Sequence, residues 1–368
     1  MSKILWSLLL TRCQTMAAVA ATVCGLAVSP FCLAQDSESS WEAYGQARLR
    51  VDQVENLPNG GDVDRGRFHG LFGLRNTGFD RFEFGAAVKV AVGTDSNADN
   101  VRFLDNEESD EVLLGEAYLR YFAGPDTLIE VGMTPLPLLL TPAVWDHDLR
   151  TMGASIQQDF SIRDFDRLSF LAGRFQGMHI DESETELNAF QASWEILEGA
   201  PKGGAVRLGY LDFDALDGLV GDGRTRTNRL RVGSPTGALA NDFELLDLQL
   251  EMVWPTRFGG LLAQVDLVQN LAADEDDQGA RVSLILGNAE RNGGWEFGYS
   301  QQRIQREAVM AAFNEDDWWF PTAMRGYMPW VSWGSGNVHV RLAAFIERRD
   351  DREEHLKRLL LDFNWRLD

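Results

Sequence analysis

Strict alternation of apolar and polar residues recurs along most of this chain, and no other feature narrows the choice of fold so far. From Trp41 to Val51 the odd positions are apolar or small and the even ones mostly polar. Phe82, Phe84, Ala86, Val88, Val90 and Val92 alternate with a set that includes Glu83, Gly85 and Lys89. Leu246, Leu248, Leu250, Met252 and Trp254 interleave with Asp247, Gln249 and Glu251. The pattern returns from Val338 to Ile346 and again at Leu359, Leu361, Phe363, Trp365 and Leu367. Successive side chains of a strand point to opposite faces, so a strand holds such a stripe on one side and a helix does not.

Segments of this kind start near Trp41, Arg65, Arg81, Val112, Thr127, Thr151, Arg167 and Thr185, then near Gly204, Phe243, Phe258, Gln278, Gly294, Arg325, Asn337 and Leu356. The spacing predicts about 16 strands, an even number as in bacterial outer-membrane barrels. The connections alternate in length. Short turns are expected at Asn76–Gly78, Gly124–Asp126, Pro255–Arg257, Arg291–Gly293 and Gly334–Asn337, and long polar loops at 52–64, 93–111, 134–150, 212–242 and 306–324. That rhythm matches short periplasmic turns and long outer loops. The expected fold is all-β: a transmembrane, antiparallel, up-and-down β-barrel. Aromatics near strand ends (Trp41, Phe68, Tyr121, Phe122, Trp194, Trp254, Trp295, Trp333, Trp365) suit interfacial girdles.

The first 34 residues read as a secretory signal. Lys3 and Arg12 flank an otherwise uncharged stretch, Met16 to Val28 is small and apolar, and Cys32-Leu33-Ala34 offers a cleavage pattern. The domain organisation expected is thus a signal peptide over 1–34 and a single barrel over 35–368. Cys13, Cys24 and Cys32 all lie in the signal, leaving no thiol for a disulfide, a metal or catalysis. Removing Lys3 and Arg12 from the 34 basic residues leaves 32 against 56 acidic ones, a net charge of −24. Such a balance disfavours nucleic acid as a partner. Acids gather at 105–111, 274–277 and 350–354 and read as solvated loops rather than metal sites.

One loop carries a more distinctive string. Val144-Trp-Asp-His-Asp-Leu-Arg-Thr-Met-Gly-Ala154 follows Pro135-Leu-Pro137. At Trp145, Asp146, Asp148, Leu149 and Gly153 it resembles a family of porin-like bacterial outer-membrane proteins. A fainter echo is Asn314-Glu-Asp-Asp317 with Arg325-Gly326. The chain departs from the usual barrel pattern in ending Phe363-Asn-Trp-Arg-Leu-Asp368 rather than on an aromatic residue.

The resemblance implies a water-filled channel for passive diffusion of small hydrophilic solutes, in contact with outer-membrane lipid and lipopolysaccharide. A homotrimer is an expectation drawn from porins generally. Polar phases supply a lumen lining: Arg48, Arg50, Arg67, His69, Arg81, Glu83 and Lys89 early, and Asp247, Gln249, Glu251, Gln264, Asp266 and Glu296 later. A barrel of about this strand number is wide enough to leave a channel. In the loop over 135–150, three prolines and Leu136, Leu138, Leu139 and Leu140 favour folding inward onto the wall. Trp145, Asp146, Asp148 and Arg150 would then form a constriction, with the acids facing Arg48, Arg67 and Arg120. No cofactor or metal is expected, and no catalytic residues: the chain has neither Gly-x-Ser-x-Gly nor His-Glu-x-x-His, and His69, His147, His179, His339 and His355 are scattered. The alternatives are a barrel whose long loops bind or adhere to a partner, and an outer-membrane hydrolase.

Overall fold

A computed structural model describes residues 40–58, 60–95, 110–163, 166–176, 185–196, 203–221, 227–233 and 237–367. Residues 1–34, expected to be a signal, and also His179 and most of the 105–111 acidic run, lie outside them. The strands are β1 (Trp41–Glu55), β2 (Val63–Phe79), β3 (Phe82–Gly93), β4 (Asp110–Gly124), β5 (Thr127–Pro135), β6 (Arg150–Arg163), β7 (Asp166–Gln176) and β8 (Glu186–Ile196). The second half adds β9 (Gly203–Asp214), β10 (Phe243–Thr256), β11 (Gly259–Asn270), β12 (Gln278–Gly287), β13 (Gly294–Ile304), β14 (Met324–Ser335), β15 (Val338–Arg349) and β16 (Leu356–Leu367). Each strand pairs with its neighbours in sequence, and β1 pairs with β16, from Gly45 opposite Leu367 to Glu55 opposite Lys357. The sheet is a closed, 16-stranded antiparallel barrel with no free edge.

Every expected strand is present, starting within two residues of its expected position. The first short turn differs. β2 runs on through Asn76–Gly78, with a register irregularity between Asn76 and Phe79, and turns at Phe79–Phe82. The Asn76 side chain accepts the Gly78 N–H at 3.0 Å, so the turn-like string makes a bulge inside the strand. Arg81 falls in this turn, ahead of the wall it was expected to line. The hairpin between β14 and β15 is tight, with Gly336 at φ 55°, the conformation its first turn position demands.

The alternation sorts two solvents. Val88, Leu119, Val131, Ile156, Leu250, Val282, Leu342 and Phe363 all stand on the outside and are exposed. On the other phase of the strands, Arg50, Arg67, Glu116, Glu130, Arg207, Asp247, Gln249, Asp266, Arg281 and Asp362 turn inward and are buried. An apolar outer band on a closed barrel is a surface built for lipid, and proteins of this build belong to the Gram-negative outer membrane. At the rim bearing the short turns, Trp41 meets Phe84 edge-on at 5.4 Å and Phe82 stacks on Tyr121 at 4.9 Å, part of an interfacial aromatic girdle. No helix among the described residues is long and apolar enough to cross a membrane.

The apolar core sits inside the barrel, towards the end bearing the long loops. Residues 136–149 and 305–323 both fold inward. Their Leu136, Leu138, Leu140, Val144 and Trp145, and Val309, Met310, Phe313, Trp318 and Phe320, pack with Leu187, Leu211, Phe213, Phe243 and Leu245 of β8, β9 and β10. The same core continues onto Phe345 of β15, which Trp318 meets edge-on at 5.1 Å, and onto Val54 of β1 and Leu356 and Leu360 of β16.

Candidate functional site: the inward loops and the facing wall

The segment 136–149 is held by its backbone as well as by its leucines. The carbonyl of Leu139 accepts from Gln191 Nε2 (2.9 Å) and Gln249 Nε2 (2.8 Å), and its N–H donates to Gln191 Oε1 at 3.0 Å. These two glutamines satisfy a backbone that would otherwise be buried without partners. Leu136, Leu138 and Leu140 are buried as expected for an inward loop, but Leu139 is 50% exposed, because the loop is locally extended and alternate side chains face opposite ways.

The second inward segment was not foreseen. Residues 306–324 read as a polar outer loop, yet nearly all of it is buried. The signal lay in Ala308-Val-Met-Ala-Ala-Phe313 and Trp318-Trp-Phe320, two apolar runs that water would not tolerate in a solvated loop. Charge pins it to the wall. The Glu347 carboxylate accepts the N–H groups of Trp319 (2.9 Å) and Phe320 (3.1 Å). Arg358 donates to the carbonyls of Asp316 and Asp317, both at 2.7 Å, and forks onto Asp52 at 2.9 and 3.0 Å. Arg50 bridges Asp362 (2.7 Å) and Asp317 (2.5 Å). Bidentate arginine–carboxylate geometry fixes direction as well as distance.

The two segments also touch each other. The Asp146 N–H donates to the Phe313 carbonyl at 2.8 Å, and the Glu315 N–H to the Pro142 carbonyl at 3.4 Å. Phe313 is sandwiched between Trp145 and Phe213, each with its centroid 5.5 Å away.

A cavity of 460 Å³ lies against the β1–β3 and β15–β16 side of the barrel. Arg48, Arg50, His69, Lys89 and Arg341 line it from the wall; Asp146, His147, Asp148, Glu315 and Asp317 line it from the loops. Basic wall thus faces acidic loop. Arg48 meets Asp148 at 3.3 Å, and Arg341 approaches Asp317 at 3.7 Å. Burial pushes the Asp148 carboxyl up, but Arg48 and Lys89 outweigh it and hold Asp148 below the usual range. Asp317 behaves likewise, with Arg50 and Arg341 overcoming burial. Burial and the neighbouring charges of Asp317 and Asp148 push Glu315 up to about 8. Asp146 is raised by burial first, then by Asp148, Glu315 and Asp316.

Of the residues singled out in the sequence, Arg48 and Asp148 come together. Asp146 borders the cavity but is only 2% exposed, and its Oδ1 accepts the Asp148 N–H at 3.1 Å. Trp145 is buried against Phe313 and does not reach the lumen surface. Arg150 bonds Glu116 at 3.0 Å and the carbonyls of His147 and Leu149. Arg67 pairs with Asp95 at 2.7 Å. Arg120 pairs with Glu130 (2.6 Å) and Glu83 (2.9 Å), within the β3–β5 wall.

No protein-family model matches the chain, and no curated protein matches it in sequence. Solved structures do match in fold. OprB of Pseudomonas putida, in its high-pH structure, aligns over 89% of this chain and 94% of its own, at 11% identity and a TM-score of 0.58. A BenF-like porin from Pseudomonas fluorescens aligns over 89% and 98%, at 11% identity and a TM-score of 0.52. OccK8 (OprE) of Pseudomonas aeruginosa aligns over 89% and 98%, at 9% identity and a TM-score of 0.51. The fold is that of the outer-membrane porins.

Proposed function

We propose that this protein is an outer-membrane porin, a channel for passive diffusion of small hydrophilic solutes, with residues 136–149 forming its constriction. One observation carries the reading: Asp148 on the inward loop stands against Arg48 on the wall of a polar cavity. Opposed charges across a narrow, low-dielectric passage produce a transverse field, which orders polar solutes and rejects apolar ones. The second inward segment narrows the same passage with Glu315 and Asp317. Filling of much of the lumen by packed apolar residues favours small solutes over bulky ones. A passive conduit needs no nucleophile or general base, and the porin fold supports a channel rather than an enzyme. Small solutes and outer-membrane lipid are the partners this reading implies; lipopolysaccharide contact and a homotrimer go with it.

Liposome swelling tests the reading. Vesicles carrying the protein should swell in isosmotic arabinose or glycine and much more slowly in a trisaccharide. Swelling no faster than in protein-free vesicles for every solute would reject it.

A further inference from the structure

Three carboxylates from the two inward loops converge beside the cavity. Asp146 of one loop and Glu315 and Asp316 of the other each offer an oxygen, and these oxygens all lie within 4.8 Å of one another. Like charges so placed repel, and removal from water makes the repulsion worse.

Arg281 and Arg341 act on Glu315 only from beyond ion-pair distance, and the arginines of β1 and β16 are engaged with other groups. Arg48 takes Asp148, and Arg50 takes Asp362 and Asp317. Arg358 spends its fork on Asp52 and its remaining nitrogen on two backbone carbonyls. Among the described residues no cationic side chain comes within salt-bridge distance of Asp146 or Glu315.

A second observation is independent of the clustering. Asp146 is 98% buried, and while its Oδ1 accepts a backbone N–H, its Oδ2 has no hydrogen-bond partner at all. A buried carboxylate oxygen without a partner is unfavourable until a proton or a cation meets it. The loop backbone holds it there, through the bond from Asp146 N–H to the Phe313 carbonyl.

We propose that Asp146, Glu315 and Asp316 form a divalent-cation site, best matched to Ca2+, which clamps the two inward loops together. The donor set is all oxygen and strongly anionic, the chemistry of hard cations. The oxygens lie within 4.8 Å of one another, close enough to reach one cation, and three protein carboxylates suit Ca2+, which takes six to eight oxygens, better than Mg2+, which gives up its waters reluctantly. Waters from the adjacent cavity complete the shell. The bound ion relieves the repulsion, engages Asp146 Oδ2 and locks the constriction in place. Its charge also offsets loop acids beside the passage. The site depends on the loops meeting as they do, and not on whether the channel conducts.

Terbium provides the probe, because Tb3+ occupies Ca2+ sites and emits when a nearby indole is excited, and Trp145 adjoins Asp146 in sequence. The full-length barrel, purified in detergent and stripped with EDTA, is titrated with Tb3+. The expected result is one sensitised ion per barrel, displaced by Ca2+ at lower concentration than by Mg2+. Glu315→Gln, with Asp316→Asn as a second variant, should weaken Tb3+ binding at least 10-fold while heat-modifiable gel mobility shows a folded barrel. Changing the exposed acids Asp274→Asn and Glu275→Gln should leave it unaltered. Absence of stoichiometric binding, equal affinity in folded Glu315→Gln and Asp316→Asn, or loss only with the Asp274 and Glu275 changes overturns the proposal.

Discussion

The indole of Trp145 stacks on the ring of Phe313 with centroids 5.5 Å apart, joining two loops that lie far apart in sequence. Phe313 is fully buried and rests on Phe213 of β9, so the stack ties both loops to the barrel wall. Large-to-small changes at such sites cost about 3–5 kcal/mol, the lost burial plus the cavity left behind. Trp145→Ala should therefore free the inward loops while the 16 strands persist. Limited proteolysis should cut within 136–149 or 305–323 in the variant and not in the wild type, with the far-UV strand signal unchanged. Equal resistance would mean that the stack is not what holds the loops.

Val88 and its neighbours test the phase of the outer face. Val88 is 44% exposed on the lipid side, and Val88→Arg near the midplane should cost about 2–4 kcal/mol. Ala87 points inward but is a poor comparator: it is 2% exposed, and its methyl lies against Gly73. Gln46, on the inner face of β1 and bordering the cavity, is the better one. Gln46→Arg should cost under about 1 kcal/mol, the usual range for a tolerant polar site. Reversible unfolding in lipid bilayers measures both; equal losses would invert the assigned faces.

The strands were legible because lipid outside and water inside impose a period of two on every one of them, and the chain pays for any lapse. Inward folding of 136–149 was legible too, from its leucines and prolines. The inward course of 305–323 was not, since Glu315, Asp316 and Asp317 make it look solvated when Arg50 and Arg341 pair with Asp317 and Arg358 holds the backbone carbonyls of Asp316 and Asp317. Those arginines lie on β1, β15 and β16, and β1 meets β16 only because the barrel closes. Pairings set by closure leave no local trace. Arg67 and Arg120 show the same limit: their inward phase was readable, but not that Asp95, Glu83 and Glu130 take them.

Closure also makes Arg358 a sensitive position. It is 2% exposed and serves Asp52 on β1 together with the carbonyls of Asp316 and Asp317. Arg65 also pairs with Asp52 at 2.8 Å, so loss of Arg358 should cost less than the ~3–5 kcal/mol of a buried charge left wholly unpaired. Arg358→Ala should lower the unfolding midpoint accordingly. The double change with Asp52→Ala should cost less than the sum of the two single changes, since each single change already breaks the Arg358–Asp52 pair. A double variant as unstable as the sum of the two single ones would show that the pair is not coupled.

The central claim is that charge on the inward loop, set against the basic wall, governs what passes. Single-channel recording in planar bilayers under a KCl gradient tests it most directly. The wild-type protein should give discrete conductance steps, and Asp148→Asn, which leaves Arg48 facing the passage without its carboxylate, should move the reversal potential towards chloride with the steps retained. Steps with an unchanged reversal potential would remove residues 136–149 from the constriction, and an absence of steps in the wild type would contradict the channel itself.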